Sequence, residues 1–575
     1  MTNTKLDLLR DGLHKLEVNG FLVPRADSWP GEFVSEYAER LSWLSGFTGS
    51  AGIGIILNDK AAVLTDGRYT IQVKQEIDSM YWDSADIMKI SIGEWLAEYA
   101  EEGSKIGYDP FLHSRAQIED IKRKVQDKDI ELVPLSVNPI DSIWVDGRPL
   151  FPMEHVSIFP ESLAGKATAE KQRELAKEIK DLNGSGYFFA TPDSIAWLLN
   201  IRGNDVPETP VPLSYALLKD DASLVWFIHS EKITDNITDH IGQNVSIQPF
   251  DTIQDELRRC SDLIFMDEQR TPIKFIQMIE EIGGNYAHKE DLVLWKKACK
   301  TSAEKEAVRE AHRVDAVALK ALHEWIKSLS DDTNLDELSI EQKLYELRSA
   351  RNSFQGNSFS PIVGFNENGA VIHYRATEKT NKTITGQGLL LIDSGGQYMC
   401  DAYAGTTDIT RTFAIGTPTE EQKFHYTLVL KAHIAVSMAI FPYGTTGIQI
   451  DTLARHILWQ HGLDFAHGLG HGVGCFLNVH EEAASLSIRG NKVLEPGMLL
   501  SNEPGLYFEG KYGIRIENLM FVQKTGNVDN LGRDLLSFET VTFVPYDTDL
   551  IDQSLLNDVE RKWLEEYNLA VSNIV

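Results

Sequence analysis

Between Gly364 and Phe521, acids and histidines repeatedly fall on short strand-like runs beside glycine turns. Leu389-Leu-Leu-Ile-Asp-Ser-Gly-Gly reads as a buried strand ending at Asp393, and Gly405-Thr-Thr-Asp-Ile-Thr-Arg-Thr-Phe as a second strand with Asp408 in its middle. The glycine-containing stretch between them predicts an antiparallel hairpin that sets the two carboxylates on neighbouring strands. Two buried carboxylates repel each other unless positive charge lies between them, and a cation would supply it. The plainer alternative is an Asx turn at Asp393 and an ion pair from Asp408 to Arg411.

Further along, Phe465-Ala-His-Gly-Leu-Gly-His-Gly-Val-Gly places His467 and His471 among glycines that let backbone approach a ligand closely, and His480 and Glu481 follow. Glycines at every second residue do not make a dinucleotide loop, and Ala484 stands where a thermolysin-type zinc helix needs its second histidine. Neutral imidazole is a common ligand of divalent metals, so one of these histidines could complete a site begun by carboxylates. Glu503, in Ser501-Asn-Glu-Pro-Gly, and Glu517, in Gly513-Ile-Arg-Ile-Glu-Asn, supply two more acids. Strand alternation puts Arg515 and Glu517 on one face, and taken alone the pair reads as a surface ion pair, with Glu503 as a turn carboxylate. Four carboxylates and at least one imidazole together make an oxygen-rich set that suits a pair of Mn-, Co- or Zn-type ions better than a thiolate zinc site.

Three domains are expected to carry these residues. Residues 1–155 alternate helical patterns with β-rich runs such as Gly20-Phe-Leu-Val, and a second such cycle, 156–298, contains Gly186-Tyr-Phe-Phe-Ala. Leu41-Ser-Trp-Leu-Ser-Gly-Phe in the first is faintly echoed by Ile195-Ala-Trp-Leu-Leu-Asn-Ile in the second, although core packing of Trp43 and Trp197 explains each equally well. The third, 299–575, opens on a long helix with Thr301 and Glu304 as a capping box and Val308, Ala311, Val314, Ala318, Leu322 and Ile326 on one face. It closes on a helical stretch, Leu555 to Asn568, that would cover either its own domain or a partner subunit.

A formal charge of -30, from 55 Lys plus Arg against 85 Asp plus Glu, argues against nucleic acid as a partner. No apolar window is long enough for a membrane span, and the first twenty residues lack a signal-peptide core. Cys260, Cys299, Cys400 and Cys475 are too scattered for a CxxC site or a disulfide framework, so a reduced, cytoplasmic compartment is expected.

Six strings carry a resemblance: Asn368-Gly-Ala-Val-Ile-His-Tyr, Leu391-Ile-Asp-Ser-Gly-Gly-Gln-Tyr, Thr406-Thr-Asp-Ile-Thr-Arg-Thr, His467-Gly-Leu-Gly-His-Gly-Val-Gly, Asn502-Glu-Pro-Gly and Gly513-Ile-Arg-Ile-Glu-Asn. On them the third domain resembles the pita-bread metallopeptidases. With Phe47-Thr-Gly-Ser-Ala-Gly and Thr65-Asp-Gly-Arg-Tyr, the whole chain looks like the large three-domain Xaa-Pro aminopeptidases, the middle domain matching weakly. The resemblance implies an α/β (α+β) architecture of two small creatinase-N-like α/β domains followed by a C-terminal pita-bread catalytic domain. It implies Asp393, Asp408, His471, Glu503 and Glu517 as ligands of two divalent ions, with manganese foremost and cobalt or zinc as alternatives, Asp408 and Glu517 bridging. His373, His467 and His480 would line the substrate site, with His467 or His480 stabilising an oxyanion or passing a proton and Glu503 relaying the proton of water. Arg515 matches an active-site arginine, and Arg68 of the first domain is a substrate-binding candidate.

The implied substrates are peptides with proline at the second position, and the implied assembly is a homodimer. The alternatives are a prolidase confined to Xaa-Pro dipeptides and a non-catalytic pita-bread binding module. One departure from the family pattern stands out, because Met399-Cys-Asp-Ala-Tyr-Ala lengthens the connection between Asp393 and Asp408 and offers Asp401 as a stray ligand.

Overall fold

The computed structural model describes residues 4–260, 262–328 and 335–574, and the chain divides into two compact units. The first comprises residues 1–159 and 166–293, the second residues 160–165 and 294–575.

The first unit contains two six-stranded sheets of one topology. In the first sheet Gly20–Pro24 is central: antiparallel to Ile53–Leu57 on one side, with Ala61–Thr65 and Asp83–Asp86 beyond, and parallel to Lys105–Tyr108 on the other, with Glu131–Pro134 at the edge. In the second, Gly186–Phe189 is central, with Tyr215–Lys219, Leu224–Phe227 and Val245–Gln248 on its antiparallel side and Leu263–Met266 and Asn285–His288 on its parallel side. The short helices carrying Trp43 (Arg40–Ser45) and Trp197 (Pro192–Leu198) each follow the central strand of their sheet. The faint echo in sequence thus marks the same step of a repeated fold. Both central strands are buried throughout, which is why they read as unbroken apolar runs.

The long helix of the second unit, Ser302–Ser328, is started by the expected capping box: Glu304 N–H donates to Thr301 Oγ1 at 3.1 Å and Thr301 N–H to Glu304 Oε2 at 2.8 Å. Its buried face includes Val308, Ala311, Ala318, Leu322 and Ile326, but also Asp315, a polar residue that the apolar period does not anticipate. Three antiparallel strands, Ile362–Phe365, Gly388–Ser394 and Ile409–Ile415, form one sheet of this unit. A six-stranded sheet includes Gly470–Gly472, Leu499–Asn502 and Asn518–Val528, and Gly505–Phe508 pairs with Tyr512–Arg515 as a separate hairpin. The last helix, Asp558–Ser572, buries Leu564, Tyr567 and Val571 against its own unit. No helix among the described residues is long and apolar enough to cross a membrane.

Phe188, fully buried in the core of the second sheet, measures how far that core carries the first unit. Phe188→Ala is expected to cost about 3–5 kcal/mol, read as a lower urea midpoint for the transition of that unit.

Candidate metal centre

Two of the expected strands are broken where the chemistry lies. Asp408 was expected mid-strand, yet the strands Ala404–Thr406 and Ile409–Ile415 leave Thr407 and Asp408 between them and belong to different sheets. Arg515 and Glu517 were expected on one strand, but Tyr512–Arg515 ends before Glu517 and Asn518–Val528 begins after it, again in another sheet. Glu503 likewise falls with Pro504 between Leu499–Asn502 and Gly505–Phe508. All three carboxylates therefore sit where the chain changes sheet, and a residue released from a ladder can turn its side chain toward a common point. Asp393 stays within Gly388–Ser394, opposite Thr410. His471 lies on Gly470–Gly472, where the register with Glu481–Leu486 shifts.

These side chains converge. Ligand atoms of Asp408, His471 and Glu517 lie within 4.8 Å of one another, and His471 Nε2 is 3.4 Å from Asp408 Oδ2 and 3.5 Å from Glu503 Oε1. His471 Nδ1 is 2.8 Å from the Gly472 carbonyl, an acceptor only, so the proton belongs on Nδ1 and the Nε2 lone pair faces the two carboxylates. The Oδ1 of Asp393 and the Oε1 of Glu517 are buried without a hydrogen-bond donor among the described residues. A ring nitrogen aimed at two carboxylates, with buried oxygens alongside that find no donor among the described residues, fits a divalent cation.

Electrostatics carry the same signature. Burial, then repulsion from Asp393, holds the Asp408 carboxyl well above the usual range. Burial, then Asp408, Glu503 and Asp393, does so for Glu517. Burial pushes Glu503 up to about 7, opposed by His471 and reinforced by Asp408.

The ion pairs that offered plainer readings take other forms. Arg411 directs its donors to the carbonyls of Thr410, Glu517 and Val544 and to Asn518 and Tyr567, while Arg515 pairs with Asp393 at 2.6 Å. Arg515 also donates to Tyr507 Oη at 2.7 Å, and Tyr507 Oη lies 2.8 Å from His467 Nε2. His467 Nδ1 faces the Gly468 carbonyl at 2.7 Å, so a donor chain runs from Arg515 through Tyr507 to His467. His480 stands edge to face with His471 at 4.3 Å between ring centroids. His373 follows Ile372, whose carbonyl lies 3.5 Å from Arg515 Nη2. Arg68 is in the first unit, paired with Asp66 at 2.8 Å and Glu32 at 3.4 Å.

Residues that the motifs did not single out hold this arrangement. Tyr507 is one. Asp315 and Arg348, a buried pair at 2.8 Å, form another: Asp315 accepts from Tyr398 at 2.7 Å and from Thr407 at 2.5 Å, and Arg348 donates to the Gly395 carbonyl at 3.0 Å. Both ends of the lengthened connection are thereby fixed beside Asp393 and Asp408. The extra residues form the tip of the hairpin Gly396–Met399 with Ala404–Thr406, where Asp401 is exposed. In the sequence, the position of Asp315 between Ala311 and Ala318 on the apolar face of the long helix was the one available signal for it.

Residues 306–524 match metallopeptidase family M24 and residues 534–575 its C-terminal region, while residues 5–143 and 147–304 each match the creatinase/prolidase N-terminal domain. A probable Xaa-Pro aminopeptidase P of Fusarium vanettenii is 38% identical over 597 residues, covering 99% of this chain and 95% of its own. The X-prolyl aminopeptidase of Caenorhabditis elegans, described as a cytosolic enzyme with a di-nuclear active site, superposes with a TM-score of 0.93 at 32% identity, covering 100% of this chain and 96% of that one. An Xaa-Pro dipeptidase from Bacillus anthracis, at 23% identity and a TM-score of 0.53, covers 66% of this chain and 99% of its own and shares the fold.

Two outcomes are expected. Gly395→Ala would place a methyl 1.9 Å from the Thr407 carbonyl and 2.1 Å from Ser358 Oγ, displacing Asp408, and should weaken Mn2+ binding about 10-fold in a calorimetric titration. The raised carboxyls of Asp408, Glu503 and Glu517 mean that the folded, metal-free protein holds more protons than the unfolded chain. Its stability should therefore fall as pH rises from ordinary carboxyl values through about 7, giving a lower urea midpoint at about pH 8 than at about pH 5.5. Saturating divalent metal should remove or invert that difference. By full-length similarity and by the matched domains, this chain belongs to the Xaa-Pro aminopeptidase P family of M24 metallopeptidases.

Proposed function

We propose that this protein is a metal-dependent aminopeptidase that hydrolyses the peptide bond between an N-terminal residue and a following proline, using two divalent ions. The observation that carries the reading is the His471 Nε2 lone pair facing Asp408 and Glu503 beside the unbonded oxygens of Asp393 and Glu517. Asp393, Asp408, His471, Glu503 and Glu517 would hold the ions. Manganese is the proposed metal, and cobalt or zinc suits the same donors. When bound, the ions supply Lewis acidity toward a carbonyl and lower the pKa of water.

The chain's own groups do the rest. Glu503, beside His471, is proposed to take the proton of the attacking water and return it to the departing nitrogen. That nitrogen is the proline nitrogen, which has no hydrogen of its own in the intact peptide and gains one as the bond breaks. His480 beside His471 is the candidate to donate toward the developing oxyanion, while His467, with Nδ1 on the Gly468 carbonyl and Nε2 accepting from Tyr507, is a proposed substrate contact. His373 and, from the first unit, Arg68 are proposed substrate contacts. The cytosolic description of the Caenorhabditis elegans relative supports a cytoplasmic location, and family resemblance supports a homodimer.

Stripping the metal and restoring Mn2+, Co2+ or Zn2+ singly tests the reading. An Xaa-Pro-Xaa tripeptide should be cleaved only after metal is restored, and an Xaa-Ala tripeptide should be cut far more slowly. Cleavage of an Xaa-Pro dipeptide alone would assign prolidase activity instead. No cleavage of any of the three by the metal-loaded protein would sink the reading.

A further inference from the structure

The segment after the six-stranded sheet reaches the metal centre from behind. Arg411, buried beside Thr410, donates through Nη1 to the carbonyl of Glu517 at 2.7 Å and that of Thr410 at 2.9 Å. Through Nη2 it donates to Asn518 Oδ1, the Val544 carbonyl and the Tyr567 hydroxyl, each at 2.8 Å, and its guanidinium lies 4.4 Å from the centroid of the Tyr546 ring. Tyr567, from the last helix, also accepts from Val544 N–H at 3.1 Å and donates toward the carbonyls of Val544 at 3.0 Å and Thr542 at 3.1 Å. Its hydroxyl thus ties the last helix, the 542–544 segment and Arg411 together.

Glu517 is fixed from every side but one. Its N–H donates to the Thr410 carbonyl at 3.1 Å, its carbonyl accepts from Arg411, and its Oε2 accepts from Thr410 Oγ1 at 2.8 Å. The remaining oxygen, Oε1, is buried and has no donor among the described residues. Because Glu517 lies in a two-residue break between strands, no sheet ladder holds its carbonyl, and Arg411 takes over that task. Arg411 in turn depends on groups of residues 542–567 for its orientation. A planar guanidinium can hold the Glu517 carbonyl and Asn518 Oδ1 with two nitrogens at once, which a single ammonium cannot.

We propose that the C-terminal region is a working part of the metal centre, with Tyr567 and Arg411 as positioning residues that aim the free oxygen of Glu517. The inference rests on the two-metal reading above. It assigns to residues 534–575, which match a region distinct from the M24 segment itself, a role in metal affinity as well as in covering the core.

The test is calorimetric titration of Mn2+ into the metal-stripped full-length protein, compared with Tyr567→Phe, Arg411→Lys and a control on the exposed side of the same helix, Leu569→Ala. Tyr567→Phe and Arg411→Lys should each weaken Mn2+ binding about 10-fold and lower kcat more than they raise KM for an Xaa-Pro-Xaa tripeptide, with Leu569→Ala unchanged. Thermal melts of the metal-free variants separate this from a loss of fold, and Arg411→Lys carries the test if Tyr567→Phe does not fold. Folded variants whose Mn2+ titrations superimpose on the parent's, whatever their melting temperatures, would overturn the inference. A parent that takes up no Mn2+, Co2+ or Zn2+ would overturn the two-metal reading itself, and the inference with it.

Discussion

Four carboxylates gathered beside one imidazole, with Asp393, Asp408 and Glu517 buried and Glu503 partly so, are a constraint that folding cannot satisfy by itself. Asp408, Glu503 and Glu517 are each held in the protonated direction by burial and then by neighbouring carboxylates, Asp393 in the case of Asp408, and a cation would relieve all of them at once. The rest of the second unit can be understood as the means of keeping such a set together. Three of the four acids stand in breaks between strands, which frees their side chains to converge but removes the ladder that would fix their backbone. Side chains replace it. Asp315 and Arg348 hold the Asp408 break, the Leu469 carbonyl accepts from Glu503 N–H at 2.8 Å, and Arg411 and Thr410 hold Glu517.

The buried cations divide between two tasks. Arg515 touches a carboxylate of the centre directly, pairing with Asp393 and passing a hydrogen bond through Tyr507 to His467. Arg348 and Arg411 act one layer further out, on carbonyls and on the hydroxyls and amide that surround the breaks. Buried charges of this kind are costly to desolvate and add little net stability. Their return here is geometric, since they fix where acids point. His433 works in the same layer, its Nδ1 at 3.1 Å from the Asn502 carbonyl and its Nε2 at 3.2 Å from Asn518 Nδ2, so it bridges the residues flanking Glu503 and Glu517. Burial, reinforced by Arg411, lowers it to about 3, so it stays neutral and keeps one donor and one acceptor.

The first unit repeats one sheet topology twice. The repeat was barely visible in sequence, because the structural demand at each strand is only for an apolar residue of fitting volume, which many sequences meet. The Trp43 and Trp197 segments preserve the echo at the helix that follows each central strand.

By itself the sequence determined the chemistry of the second unit and the periodicity of its elements. Acids and histidines in glycine-rich strand contexts marked Asp393, Asp408, Glu503 and Glu517 and left the imidazole open among His467, His471 and His480, a choice that only the family resemblance narrowed to His471, and the capping box at Thr301 set the start of the long helix. These are local signals, carried by residue type and near spacing. Tertiary structure alone decided that Asp408 and Glu517 leave their strands, that Arg515 pairs with Asp393, and that Tyr507, Asp315, Arg348 and Tyr567 belong to the site. Each of those contacts joins parts of the chain far apart in sequence or depends on a change of sheet. Hydrophobic periodicity specifies which face is buried, but not which buried polar group will meet which.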